Sequence, residues 1–525
     1  MPGASTANRS GSRLSDGRVA ILLASFSALY FADICLRASG KYFWFDELVT
    51  VYVCRLPTLR AVYHATLLGA DYNPPLFHVL TRLAEAPFGE GLIASRMPSI
   101  IGVWLLCVCL FAIVSKRAGR AAGCVAMLLP LLSSARFYAY EARATGIVLG
   151  FAGLAALAWQ RLPESRYRKM CLGLLAVALA GAFLTHCYAI ALLFPFGCAE
   201  ACRSWEKRRL DRPVWAIMAC AAVAAVPFYV PLLRSFKQHV SAGFFTPGLG
   251  SLQSFYVTLL APAILVLVAC LAAFAVDRAI TPAGPRPVVP SSDMVLALGF
   301  LALPAAGLVM AAALHGPFIG RYWFPAILGV SLAAGYGSCG RSKWVAPSLA
   351  VLLALLVAGD FARLVRHRLA GTGEALLEPN TLLPMNTTPG RPMQAYAPLW
   401  ANVPGDLPIV VTDGLEFAFL VNYAASPVRA RLYYLMGDDG DTVGGLLRGL
   451  QACCGLAYHF AQAETFVRRT SHFYVYGKPG PSLRALLPAS APAVQALFRA
   501  GLGDRAVLEV VRDGLSDSPP PPAGH

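Results

Sequence analysis

Charge is scarce in this chain. Only 14% of its 525 residues are Asp, Glu, Lys or Arg, where soluble globular proteins carry roughly 25%. Hydrophobic residues make up 57%, and the mean hydropathy is +0.58. Apolar runs recur through the first two-thirds, and one such as Met294 to Leu314 holds no charge at all. A soluble core does not account for that; a membrane span, which needs about 20 apolar residues, does. Acid is scarcer than base, 28 residues against 44, for a net charge of +16. The excess need not signal nucleic acid, because Lys and Arg collect in the cytoplasmic loops of membrane proteins.

Other absences narrow the function. No Cys-x-x-Cys ladder suggests a metal site. The 14 cysteines lie mostly inside apolar runs, as at Cys107, Cys109, Cys171 and Cys220, where they act as small apolar fillers. The adjacent Cys453 and Cys454 read as packing residues or free thiols. No glycine-rich phosphate loop stands between a strand and a helix; Thr246 to Gly250 reads as a flexible outward loop. No Ser-His-Asp ordering and no internal repeat are found.

Hydropathy places about eleven spans near 19–37, 97–115, 121–134, 138–159, 170–185, 188–202, 214–233, 253–276, 294–314, 321–339 and 345–363. The first has no small-residue cleavage site after it and reads as an uncleaved signal anchor. Basic residues gather in alternate loops, for example Lys116, Arg117 and Arg120, or Lys207, Arg208, Arg209 and Arg212. That pattern predicts a cytoplasmic amino terminus and an extracytoplasmic carboxyl terminus. Residues 1–18 are then a cytoplasmic segment and 19–365 a transmembrane domain with an outward first loop, 38–96. Residues 366–515 form an extracytoplasmic α/β domain, and 516–525 a disordered Pro-rich tail.

In the first loop, Leu59, Val62, Tyr63, Thr66 and Leu67 recur at helical spacing and predict a one-sided helix suited to the membrane interface. A second short helix is expected over 74–86, capped by Asn73 with Pro74 or Pro75 in its first turn. Further on, 407–412 and 472–476 read as strands, with a turn at Asp413-Gly414. Stretches 416–423 and 442–450 read as helices.

The residues able to carry chemistry lie on the expected outer side. Asp46-Glu47 follows the aromatic pair Trp44-Phe45, and a carboxylate there can take a proton from an acceptor hydroxyl; a plain solvated acid is the alternative. Tyr138 to Arg143 opens the fourth span. Arg143 enters an apolar run, where a cation needs an anion or an aqueous cavity, unless it snorkels to the interface. Glu141, two residues away, does not share its helix face. Thr185-His186-Cys187-Tyr188 breaks an apolar stretch with two side chains that can bond a phosphate or a sugar, or merely satisfy a turn. Arg321-Tyr322, after His315-Gly316-Pro317, sets a second guanidinium at that level, and a guanidinium fork matches phosphate oxygens in pairs. Arg234, Lys237, Gln238 and His239 are weaker candidates of the same type. Asp46, Asp71 and His78 offer oxygen and nitrogen ligands in one loop, so a divalent metal is conceivable there, although the spacing fits no ligand pattern.

Taken in order, these pieces resemble the membrane-embedded C-type (GT-C) glycosyltransferases. The likeness is to the family-39-like members: protein O-mannosyltransferases and the lipid A aminoarabinose transferase. The matching elements are Asp46-Glu47, Asn73-Pro74-Pro75-Leu76-Phe77, Arg96-Met97-Pro98-Ser99, Tyr140-Glu141-Ala142-Arg143, Thr185-His186-Cys187-Tyr188-Ala189 and Arg321-Tyr322, over roughly residues 18–365. Family members often have His where Asn73 stands, and a bulky residue where Thr145 stands. The resemblance implies a polytopic α-helical fold with a small C-terminal α/β domain. It also implies a polyprenyl-phosphate sugar donor and inverting transfer to a hydroxyl of a lipid, polysaccharide or protein, with no nucleic acid involved. Asp46 would be the general base, with Glu47 orienting the acceptor or tuning Asp46. Arg143, Arg321, His186, Tyr322 and Lys237 would hold the donor phosphate. Asp71, Asn73, Tyr140, Glu141 and Tyr188 would contact substrate. A transporter or lipid flippase would instead want ionisable residues near mid-bilayer and an internal repeat. A non-catalytic scaffold is the third reading.

Overall fold

The computed structural model describes residues 6–239, 248–280, 288–313, 318–339, 344–370, 399–401, 405–436, 442–456, 458–477, 494–502 and 505–512, with the single positions 342, 396 and 403. The tail 516–525, His315 to Pro317 and Thr246-Pro247 lie outside them. The chain divides into two compact units. One holds residues 1–40, 83–227 and 245–384; the other holds 41–82, 228–244 and 385–525.

The first unit is helical, and a helix or helix pair stands at each expected span. Among the described residues, six helices are long and apolar enough to cross a membrane, or seven if Arg120–Leu132 and Ser134–Tyr140, bent by 71°, count as one. The remaining expected segments are present as shorter or broken helices. The chain is a multi-pass membrane protein. Its central helices are α5 (Met97–Ala118) and α7 (Ala144–Arg161). They pack closely because glycines face each other: a Cβ on Gly102 would meet the Gly146 carbonyl at 2.3 Å, and one on Gly150 the Gly102 carbonyl at 2.6 Å. Small residues at four-residue spacing let backbones approach where the surrounding lipid offers no hydrophobic drive.

The second unit is built on a six-stranded sheet: β1 (Ile409–Val411), β2 (Leu432–Met436), β3 (Phe460–Gln462), β4 (His472–Gly477), β5 (Val494–Leu502) and β6 (Arg505–Arg512). Their order is β3-β2-β1-β4-β6-β5. The first four strands are parallel and alternate with helices; β6 and β5 add an antiparallel edge. Alternation puts Ile409, Val411, Tyr474 and Tyr476 in one core, and Val410, Phe473 and Val475 in the other, as the two-residue strand period requires. Asp413, expected in a turn, caps the helix Gly414–Tyr423, accepting the Leu415 and Glu416 N–H groups at 2.9 and 3.2 Å. Strands β2, β3, β5 and β6 were not expected from sequence.

Residues 41–82 depart most from expectation. They belong to the second unit, although they precede the second span. The helices α2 (Phe45–Cys54) and α3 (Leu59–Leu67) put Trp44, Phe45, Val53, Val62 and Ala65 into the core shared with Ile409, Phe417 and Tyr476. The apolar stripe of α3 is thus answered by protein; an interfacial lipid role is not needed to explain it. The next helix, α4, runs Leu76–Phe88. It starts later than expected because the Pro75 carbonyl accepts its first bond, from Val79 at 3.1 Å. Asn73 does not cap it; its amide nitrogen donates to Asp71 at 2.9 Å.

Candidate active site

Asp46 and Glu47 are neighbours in the first turn of α2, where the helix dipole favours carboxylates. Consecutive helical residues face different ways, and here the two acids part company. Glu47 is fully buried. Its Oε2 accepts from the Lys41 ammonium at 2.6 Å and from the Trp44 N–H at 3.4 Å. Asp46 is half-buried, and its carbonyl accepts the Thr50 hydroxyl at 3.3 Å. Glu47 therefore anchors the turn, and Asp46 is the more accessible of the two acids.

In the same unit, Asp71 gathers Asn73 and His78. One carboxylate oxygen accepts from the Asn73 amide, and the other stands 3.3 Å from His78 Nε2. His78 is 1% exposed. Burial, and then the Asp71 charge, push the Tyr72 phenol up to about 12. Asp46 does not join Asp71 and His78 in a metal-ligand set: among the described residues no three His, Cys, Asp or Glu side chains are grouped to hold an ion.

The first unit carries the basic and aromatic candidates. Its motifs interlock through the backbone. Arg96, fully buried, donates to the Ala38 carbonyl at 2.5 Å. One helical turn on, the Ser99 hydroxyl donates to the Arg143 carbonyl at 2.7 Å. Arg143 was expected inside a helix; it sits at the N-cap of α7 with an extended backbone, φ −134° and ψ 148°. The helix breaks between Tyr140 and Arg143 because Tyr140 ends a 3-10 turn, Ser134–Tyr140. Tyr140 and Glu141 are buried there, and the Arg143 side chain is half-buried.

His186 also lies in a break. It caps the 3-10 helix Cys187–Leu192, and its Nδ1 accepts the Tyr188 N–H at 3.1 Å. In the neutral ring that places the proton on Nε2, a donor. The rings of His186 and Tyr322 lie 4.4 Å apart, and those of Tyr188 and Tyr322 4.7 Å apart. The Arg321 guanidinium carbon is 5.6 Å from the Tyr322 ring centre, within cation–π range. Together His186, Tyr188, Arg321, Tyr322, Trp323 and Thr145 line a narrow recess. Trp323 is seated there by a glycine: a Cβ on Gly307 would meet its ring at 2.3 Å.

Four of the residues singled out from sequence thus meet in one recess. Arg143 does not line it, but Thr145, two residues on, does. Lys237 is exposed, near the end of α10 (Arg212–His239). Sequence reasoning missed Trp323 and Gly307, since a tryptophan in an apolar run and a glycine in a span carry no distinguishing signal.

No family model and no curated protein sequence matches this chain. Solved structures do. ArnT from Cupriavidus metallidurans in the apo state superposes with a TM-score of 0.53 at 13% identity, over 94% of this chain and 98% of that one. The same protein bound to undecaprenyl phosphate gives 0.51 at 13%, with the same coverage. The fold of this chain is that of ArnT. The Archaeoglobus fulgidus oligosaccharyltransferase complexed with Zn and sulfate matches at 13% identity and a TM-score of 0.33, over 77% of this chain and 61% of that one. The likeness to ArnT covers 94% of the chain, far more than the sequence motifs reach.

Proposed function

We propose that this protein transfers a glycosyl group from a polyprenyl-phosphate-linked sugar to an acceptor hydroxyl at the outer face of the cytoplasmic membrane, with inversion. The observation that carries the reading is the recess in which one guanidinium, Arg321, stands with His186, Tyr188 and Tyr322. A cation, an Nε2–H donor and two phenols suit a phosphate monoanion or diester. The ArnT structure of the same fold with undecaprenyl phosphate bound supports a lipid-linked phosphate as the ligand.

In this scheme Asp46 accepts the proton of the acceptor hydroxyl. The hydroxyl oxygen bonds to the anomeric carbon as the bond from that carbon to the phosphate oxygen breaks. Polyprenyl phosphate leaves with the electron pair. Negative charge grows on the phosphate in the transition state, and Arg321 stabilises it in a partly dry site, where such interactions are stronger than in water. One base suffices for inversion, which agrees with Glu47 being held by Lys41.

The test is a transfer assay on the full chain in lipid nanodiscs, with a panel of polyprenyl-phosphate sugars and mass spectrometry of the products. Wild type should release polyprenyl phosphate and glycosylate one acceptor class. Asp46→Asn should bind the donor but transfer roughly 10²–10⁴-fold more slowly. Turnover by Asp46→Asn at the wild-type rate would overturn the assignment.

A further inference from the structure

The helical unit also carries an apolar groove that shares no lining residue with the recess around Arg321. The helices α1 (Thr6–Gly40), α6 (Arg120–Leu128) and α15 (Val345–Leu369) border an open groove. Its walls are almost wholly apolar, including Leu22, Phe26, Leu128, Leu131, Ala354 and Val357. Residue numbers rise in the same direction along all three helices, and at that end the groove reaches Asp33.

There, charge replaces carbon. Arg37 donates to Asp33 at 3.0 Å and to Asp360 at 2.7 Å. Arg136 donates to the same Asp360 oxygen at 2.6 Å, and Arg363 bonds the other. Three guanidinium groups face two carboxylates, so the cluster keeps one net positive charge. Arg363 is the accessible member, with 60% of its side chain exposed. None of these five residues lines the recess around Arg321.

The geometry points to a bound anionic phospholipid. We propose that one acyl chain fills the groove and that the phosphate is drawn to the Arg136–Arg363 end. From Leu22 to Asp33 the groove follows α1 for about 16 Å at 1.5 Å per residue. That is half of a hydrocarbon core roughly 30 Å thick, the depth of a single leaflet. It fits one fatty acyl chain and is short for a long polyprenyl tail. The groove opens to lipid: only 22% of the α1 span and 17% of the α15 span is buried within the protein. An ion cluster with surplus positive charge, at the head of a leaflet-deep apolar slot, matches an amphiphile of that length and charge.

Native mass spectrometry of the full chain, purified in mild detergent and then offered phosphatidylglycerol or phosphatidylethanolamine, tests this. Wild type should retain one phospholipid per chain and prefer the anionic one by at least tenfold. Ala354→Trp, which fills the slot from an exposed position, should abolish retention. Val351→Trp, at a position 59% exposed, repeats the test should the first variant not fold. Arg363→Gln should keep the slot and lose the preference. Equal retention by the filled variants, indifference to headgroup charge, or displacement of the phospholipid by polyprenyl phosphate would each overturn the proposal.

Discussion

The ammonium of Lys41 lies 2.6 Å from a carboxylate oxygen of Glu47, and neither side chain is open to solvent, at 4% and 0% exposure. This pair, and not Asp46, fixes the start of the helix that carries both acids. Leaving one member of a buried pair without the other typically costs about 3–5 kcal/mol. Lys41→Met is therefore expected to lower the stability of the second unit by that order, measured as the thermal midpoint of the full chain in detergent. Lys41→Met combined with Glu47→Leu should recover much of the loss. No recovery would mean that the pair is not what holds the turn.

Arg321 should matter to the reaction more than to folding. Arg321→Ala is expected to slow transfer by about 10²–10³-fold, the usual effect of removing one donor to developing charge. Arg321→Lys keeps the charge but loses the planar fork, so it should restore only part of the rate. A thermal midpoint unchanged in both variants, beside unequal rates, is the expected pair of readings.

Gly307 bears on the recess through Trp323. Since a Cβ there would meet the indole at 2.3 Å, Gly307→Ala should shift Trp323 and the Arg321-Tyr322 turn beside it. Overpacking of this kind costs about 1–3 kcal/mol. Donor affinity, followed by binding of a polyprenyl-phosphate analogue, is expected to weaken. Gly359, where an added Cβ meets nothing within 4 Å, makes the control: Gly359→Ala should leave affinity unchanged.

Acid should loosen the C-terminal sheet. The hydrogen bond from His472 at 2.6 Å, and then the contact with Arg499, hold the Glu509 carboxyl below the ordinary glutamate range. A folded-state pKa below the unfolded one means that the stabilisation is present above the unfolded value. It is lost as pH falls through the folded value, from roughly pH 4.3 downward. The urea midpoint of the sheet should drop across that window in wild type. Glu509→Gln should flatten this part of the curve.

The spans were legible because a hydrocarbon solvent demands long apolar runs, and such runs leave an unmistakable trace. The recess was partly legible for the converse reason: Arg321, His186 and Tyr188 are polar groups where lipid should be. The charge cluster at Asp33 and Asp360 was missed because each acid looks isolated in sequence, and only folding brings Arg37 and Arg136 beside them. In the C-terminal domain, β1 and β4 stood out as short apolar runs, whereas β6 is interrupted by Glu509 and Arg512 and gives no alternation to read. The placement of residues 41–82 was hidden for another reason. A one-sided helix says only that something apolar covers it, and lipid and a distant sheet leave the same mark.

That placement also bears on how the molecule is made. The Tyr52 hydroxyl bonds Asn422, 370 residues later, so the helix bearing Asp46 emerges from the ribosome long before its packing partners exist. It must wait until the final strands arrive. A prematurely terminated product would therefore keep its apolar spans and still lack the packing that sets the helix bearing Asp46.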